Sequence, residues 1–373
     1  MGRRRGAGEG AVYRRKSDGL FCAAITVGYD ANGKRKRRVV SSRTKGETLR
    51  KLAALQAAAY TGTLADPVTM SIGTFLSRWL HDVARTRVRE STFIRYESLL
   101  KIHVLPHIGG LRLKSVQPPQ IQALYSKLEE LGASPRTREF VHAVLHVAFD
   151  QAVRWRYVVR NTCDAVDRPR VPRREMSVWS EQEVCSFLAA ARNDRLHALY
   201  VMALTTTLRQ GELFALVWDD IDLQRGTVSV QRTQQELKRK IIVAEPKTRK
   251  GRRVVDLPKI AVEALKAHRA QMLAEGHPHD LVFCDTQGGP LRRSNVIQRS
   301  FETLIKAAGV CRIRFHDMRH TGATLLLRQG VHPKVVQERL GHATISLTLD
   351  TYSHVLPSMQ KDAAGKLDAI LGG

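Results

Sequence analysis

The chain has 373 residues, with 61 Lys and Arg against 35 Asp and Glu, a formal net charge of +26 and a pI near 10.4. Hydrophobic residues make up 43% of it, which excludes a disordered polyelectrolyte and points to folded domains, two or three of them at this length. A pI this high in a globular protein directs attention to nucleic acid ahead of a membrane surface.

No apolar run approaches the roughly 18 residues of a membrane span, and no apolar signal segment follows the basic start of the chain. A cytoplasmic protein with no membrane partner is expected. The five cysteines, Cys22, Cys163, Cys185, Cys284 and Cys311, are odd in number and scattered, with no C-x-x-C pair. They read as reduced, small hydrophobes, and no zinc framework is expected.

Residues 1–60 hold 15 Lys and Arg against 4 Asp and Glu, so charge is concentrated at the front. Ala11–Tyr13 and Leu20–Gly28 read as strands joined through Ser17-Asp18-Gly19, and Ala31-Asn32-Gly33 as a hairpin turn into a basic strand from Arg35 to Val40. Thr48–Tyr60 is rich in Ala and Leu and reads as a helix. A small three-stranded sheet carrying one helix is the expected first unit.

Thr61–Thr69 reads as a linker through Gly62, Asp66 and Pro67. From Ser71 onward apolar residues recur at helical spacing, beginning with Ile72, Phe75, Leu76 and Trp79, and further helices are predicted at Ser91–His103, Pro118–Leu131 and Pro135–Arg154. Breaks are expected at Pro106, Gly109-Gly110 and Gly132. This is an all-helical bundle, again basic, followed by the stiff tether Arg168-Pro-Arg-Val-Pro-Arg-Arg174.

After Met176 the pattern is mixed. Helices are predicted at Ser180–Ala191 and Leu196–Leu208, strands at Thr227–Gln231, Ile241–Ala244 and Arg253–Leu257, and helices from there to the end, giving an α+β domain with one small antiparallel sheet.

Four stretches of this last domain hold the groups suited to chemistry: Thr206-Thr-Leu-Arg209-Gln-Gly-Glu212, Pro246-Lys247-Thr-Arg-Lys250, His316-Asp-Met-Arg319-His-Thr321, and Gly341-His342 with Tyr352 ten positions on. His316 and Arg319 stand three apart at the start of a predicted helix 316–329, so they share a face and can converge on one ligand. Arg209 and Glu212 have the same spacing, which lets the carboxylate fix the guanidinium. Lys247 is placed on the rim of a hairpin between two strands.

Attack on a phosphodiester gathers negative charge on the non-bridging oxygens, and guanidinium forks match those oxygens with paired, charge-assisted hydrogen bonds. A tyrosine nucleophile, with a reference pKa of about 10, needs help to lose its proton at neutral pH. The departing sugar oxygen needs a proton from a positioned Lys or His. Each residue alone has an ordinary reading, as a salt-bridge partner, a cap or a packed side chain. Their order along the chain is what carries the argument.

Arg209, Lys247, His316, Arg319, His342 and Tyr352 together resemble the active-site order of the tyrosine recombinase family, the integrases of phages and mobile elements. The resemblance implies an arm-type DNA-binding domain over 1–65, a helical core-binding domain over 70–167, and an α+β catalytic domain of the tyrosine recombinase type over 175–373. It implies that Arg209, Arg319 and His342 hold the scissile phosphate and that Lys247 and His316 manage protons. Tyr352 attacks, leaving a 3′-phosphotyrosine and a free 5′-hydroxyl, with no metal or nucleotide cofactor. The implied partners are double-stranded DNA attachment sites, three further copies of the chain in a homotetramer, and an excisionase or a host DNA-bending protein.

Lys250 is the rival to Lys247, which follows Pro246 directly. The family often has Gly two residues before its first catalytic Arg; that position is Thr207 here, and ordinary helical backbone is expected for it. His320, His354 and Glu212 are read as neighbours or supports, and His103, His107, His142 and His146 as structural. Ala364, Leu367, Ile370 and Leu371 form an apolar stripe along 361–371 that the resemblance would dock on a neighbouring subunit, the alternative being that the segment packs back on its own chain. The competing functions are a non-cleaving DNA-binding regulator, which has no use for the tyrosine and both arginines, and a topoisomerase, which has no use for a separate arm-binding domain.

Overall fold

The computed structural model describes residues 11–29, 35–60, 70–172, 176–237, 240–245, 251–277, 280–352 and 359–371. The expected turn at Ala31-Asn32-Gly33, the linker over 61–69, and both Lys247 and Lys250 lie outside these residues. The chain divides into two units, Met1–Arg173 and Arg174–Gly373.

In the first unit β1 (Ala11–Arg14), β2 (Phe21–Tyr29) and β3 (Arg35–Ser42) form an antiparallel sheet in that order. Period-two alternation sends Ala23 and Ile25 inward, where Leu52 of α1 (Lys45–Tyr60) closes over them. Thr48 fastens the helix to the sheet, its hydroxyl bonding the Phe21 carbonyl at 3.1 Å. The other side of β3 leaves Arg35, Arg37 and Val39 exposed.

The helical bundle begins at α2 (Ile72–Trp79), where the Ser71 hydroxyl caps the helix by accepting the Thr74 N–H at 3.1 Å. The second helix, α3 (Glu90–Leu99), does not stop at Pro106. It runs on through a π turn, Leu100–Val104, into Leu105–Ile108, because a proline in the first turn of a helical segment has no N–H that the segment would use. The helices α4 (Pro118–Glu130) and α5 (Pro135–Arg154) complete a core of Leu, Val, Ala and Phe side chains around Phe75 and Phe149.

The second unit is built on α6 (Glu181–Ala190), α7 (His197–Thr206) and the short α8 (Gln210–Phe214). In α7 nearly every side chain is buried, and Tyr200 joins Trp179, Phe187, Phe301 and Phe315 in an aromatic cluster. The strands are β4 (Ile221–Asp222), β5 (Thr227–Val230), β6 (Thr233–Leu237), β7 (Lys240–Ala244) and β8 (Arg253–Asp256). They make two sheets, β4-β5-β8 and β6-β7, where the sequence pattern suggests one. β6 reads Thr-Gln-Gln-Glu-Leu, with no apolar alternation to announce it. The strands flanking Lys247, β7 and β8, therefore pair with β6 and β5, not with each other, and the expected hairpin is a connection between sheets.

The helices α9 (Lys259–Ala274), α10 (Glu302–Ala308), α11 (Phe315–Arg328), α12 (Pro333–Leu340), α13 (Ile345–Tyr352) and α14 (Met359–Leu371) follow. One close approach joins α7 to α11. A Cβ on Gly322 of α11 would stand 2.1 Å from the Leu204 carbonyl oxygen of α7, so only glycine lets the two backbones touch. That contact carries the end of α7 up against the start of α11.

Candidate active site

The first guanidinium is positioned by a sharp turn. Helix α7 ends at Thr206, and Thr207 takes φ +55 and ψ +26, the left-handed region, before Arg209 starts α8 in extended geometry. This corrects the helical backbone expected for Thr207: a left-handed residue is what reverses the chain between two helices, and a β-branched side chain there is strained by about 1–3 kcal/mol. Thr207 is fully buried, and its hydroxyl has no hydrogen-bond partner.

Glu212, one turn into α8, reaches back to Arg209 twice. One carboxylate oxygen accepts the Arg209 backbone N–H at 2.9 Å, the other its Nη1 at 2.7 Å. Glu212 also pairs with Nη2 of Arg253 on β8 at 2.9 Å. Burial raises the Glu212 pKa, but the bonds from Arg253 and Arg209 outweigh it and hold the carboxyl below its usual range. Arg253 in turn donates from Nε to the Arg339 carbonyl at 2.7 Å, tying β8 to the last turn of α12. Sequence reasoning missed Arg253 because its partner lies 41 residues away on another element.

Arg319 lies one turn into α11 and is buried. Its Nη1 donates to the Thr207 carbonyl at 2.6 Å and its Nη2 to the Leu340 carbonyl at 2.7 Å. Burial, with Arg209 and Arg253 adding repulsion, lowers its pKa to about 9, so it stays positive at neutral pH. Both partners are neutral carbonyls. The charge is oriented by them and not cancelled, a state suited to receiving an anion. Arg209 shares the α12 end of this arrangement through a 3.3 Å bond from Nη2 to the Gly341 carbonyl.

Gly341 ends α12 with φ +63, and His342 follows it. Gln337 donates to the His342 carbonyl, and Nδ1 of His342 meets the Thr348 hydroxyl at 2.9 Å, which fixes the ring. Burial and the charges of Arg319 and Arg209 lower the His342 pKa to about 4. His316 has one edge open to solvent; the protein on its other side, with Arg319, lowers its pKa as well. Both rings are neutral at pH 7.

Tyr352 closes α13 with no exposed surface, and burial pushes its pKa up to about 12 while Arg319 opposes the rise. Its hydroxyl lies 2.7 Å from Nδ1 of His320. His320 follows Arg319 in the chain and stacks edge to face on His316, with ring centroids 5.1 Å apart. The i, i+4 spacing of His316 and His320 is visible in the sequence and is the signal that could have raised His320 above a neighbour's role.

Arg209, His316, Arg319, His342 and Tyr352 are thus linked through α7, α8, α11, α12 and α13 by one set of hydrogen bonds and charge interactions, with Lys247 outside the described residues. Two fixed guanidiniums, neutral imidazoles and a phenol can bind a phosphodiester and attack it. Among the described residues no group of three or more His, Cys, Asp or Glu side chains is gathered as metal ligands.

Residues 178–359 match the phage integrase family, and residues 71–129 match the phage integrase N-terminal SAM-like domain. A tyrosine recombinase XerC-like protein of Caldanaerobacter subterraneus is 30% identical over 96% of this chain and 98% of its own length. The ICEBs1 integrase of Bacillus subtilis is 26% identical over 96% of this chain and 99% of its own. Among solved structures, the Tn1549 transposon integrase in complex with a circular intermediate DNA has a TM-score of 0.68 at 21% identity, covering 80% of this chain and 99% of that one. A lambda integrase tetramer bound to a Holliday junction has a TM-score of 0.59 at 19% identity, covering 94% and 97%. At these identities the structural likeness speaks for the fold.

Proposed function

From the premise that the chain belongs to the phage integrase family of tyrosine recombinases, and is a site-specific DNA recombinase, we propose that it integrates or excises a phage or mobile element through a 3′-phosphotyrosine intermediate formed by Tyr352. Arg209, Arg319 and His342 bind the scissile phosphate. Lys247 protonates the departing 5′-oxygen, with His316 sharing the management of protons. The energy of the broken bond is kept in the protein–DNA link, so religation needs no nucleotide.

The observation that carries this reading is the environment of Arg319, a buried cation beside Arg209 that is oriented by two carbonyls and hydrogen-bonded to no carboxylate. A regulator that only binds DNA would set such a charge on its surface, where water solvates it. We further assign arm-site binding to 1–65, core-site binding to 70–167 and catalysis to 175–373. The basic face of β3, with Arg35 and Arg37 exposed, supports the first of these.

No helix among the described residues is long and apolar enough to cross a membrane, and the bacterial cytoplasm is the place of work we assign. Along the apolar stripe of α14, Leu367 is 56% exposed, Ile370 75% and Leu371 78%, so the described residues of its own chain do not cover the stripe. A neighbouring copy in a DNA-bound homotetramer is the occupant we assign to it; an excisionase and a host DNA-bending protein complete the proposed partners. The test is a duplex carrying the element's core attachment site with a nick beside the cleavage point: the wild-type chain should trap a covalent adduct and Tyr352→Phe should not.

A further inference from the structure

The proposed roles let His316 share in managing protons but do not say which imidazole takes the proton from the Tyr352 hydroxyl. The phenol cannot attack phosphorus and keep it. Among the histidines of the site, His342 has its Nδ1 engaged with the Thr348 hydroxyl at 2.9 Å. His316 lies against the ring of His320 and has no hydrogen bond to Tyr352. Of these three, His320 is the one that touches the reacting atom, its Nδ1 at 2.7 Å from the Tyr352 oxygen with the two ring centroids 5.8 Å apart.

The surroundings set the charge on that imidazole. Burial, then His316, Arg319 and Arg314, lower the His320 pKa to about 4, with Asp317 opposing; across from α11 the ring faces Tyr352 and His342. The imidazole is therefore neutral. In its Nε2–H tautomer the lone pair on Nδ1 accepts, and the phenol donates. A bound phosphate places negative charge on Arg319 and Arg209 and offsets the cationic repulsion felt by His320, so the ring becomes more basic when substrate arrives.

Building on the assignment of Tyr352 as nucleophile, we propose that His320 is a catalytic residue that takes the Tyr352 proton on Nδ1 as the phenolic oxygen attacks the DNA phosphorus. The O–H bond breaks and an N–H bond forms. The P–O bond to Tyr352 forms as the P–O5′ bond breaks, and the 5′-oxygen takes its proton from Lys247. The phosphodiester keeps its single negative charge, His320 gains the positive charge that Lys247 loses, and religation runs both transfers backward.

The test uses the full chain and the nicked core-site duplex in single-turnover cleavage. His320→Ala should bind the duplex with unchanged affinity and form adduct slower by roughly 10²–10⁴-fold. A bridging 5′-sulfur, which relieves the need for a leaving-group acid, should not restore it. A difluorotyrosine at position 352, whose phenol is more acidic, should recover the rate by roughly tenfold or more. His320→Asn, which can accept the hydroxyl but take no proton, should remain slow and serves if the alanine variant unfolds. Normal cleavage by His320→Ala or His320→Asn would overturn the proposal, and so would recovery with the 5′-sulfur or none with difluorotyrosine. Adduct formation by Tyr352→Phe would instead overturn the reading of the nucleophile itself.

Discussion

The Thr207 carbonyl accepts a 2.6 Å hydrogen bond from Nη1 of Arg319. A strained backbone residue at the end of α7 thus orients a buried cation on α11, and the close approach at Gly322 holds the two helices together. The strain and the function sit on different atoms: the carbonyl is used, while the side chain contributes an unpartnered hydroxyl.

Thr207→Gly should therefore stabilise the second unit by about 1 kcal/mol, since relief of the left-handed cost exceeds the added chain entropy. Cleavage should be retained, because the carbonyl remains. Chemical denaturation read beside adduct formation checks this, and a loss of stability would mean that packing of the Thr207 methyl outweighs the backbone term.

Gly322→Ala should be far more damaging. Its methyl would meet the Leu204 carbonyl at 2.1 Å, and the two helices must separate to admit it. Both the urea midpoint and the rate of adduct formation should fall, with cleavage lost even where a folded fraction persists, because Arg319 and the Thr207 carbonyl no longer meet.

Glu212 is the joint between two arginines. Arg253→Ala should cost about 1–3 kcal/mol, since Glu212 keeps Arg209 but loses its second charge-assisted partner, and Arg253→Lys should rescue poorly because one ammonium cannot reach both Glu212 and the Arg339 carbonyl. Arg209→Ala and Arg319→Ala should each lower the cleavage rate by roughly 10²–10³-fold, the scale for loss of one oxyanion donor. Cleavage at the wild-type rate by either variant would remove that arginine from the phosphate site.

Acid should destabilise the DNA-free chain in two stages. His320 and His342 titrate at about 4 when folded, against an ordinary value of about 6.5, so the unfolded state binds protons first and stability declines as pH falls from about 6.5 toward 4. Glu212 is depressed, so its contribution is present above the usual carboxylate range and is lost as pH falls through its lower folded value. Urea midpoints at pH 7, 5.5 and 4.5 should fall in order. His320→Asn and His342→Asn should flatten the upper part of that decline.

Elements with a strong local period are legible in the amino-acid sequence alone. The predicted α5 has the bounds that are observed, because apolar spacing and a Ser134 cap agree. β6 is not legible in this way, since its pairing with β7 is made by backbone and its side chains carry no alternation. The left-handed turn at Thr207 is hidden by a residue type that ordinarily avoids it. In the site, Arg209 and Glu212 can be joined from their spacing of three. Arg253 cannot, because it acts through Glu212, 41 residues away; His320 shows its spacing of four from His316, while its bond to Tyr352, 32 residues on, is not visible.

Trapping on the nicked core-site duplex decides whether Tyr352 is the nucleophile of a DNA strand-transfer reaction. The wild-type chain should yield a denaturation-resistant protein–DNA adduct at the 3′-phosphate, in the presence of excess EDTA, and peptide mapping should place the link on Tyr352. Tyr352→Phe should bind the same duplex and give no adduct. A covalent link that persists in Tyr352→Phe, or that maps to another residue, would contradict the claim.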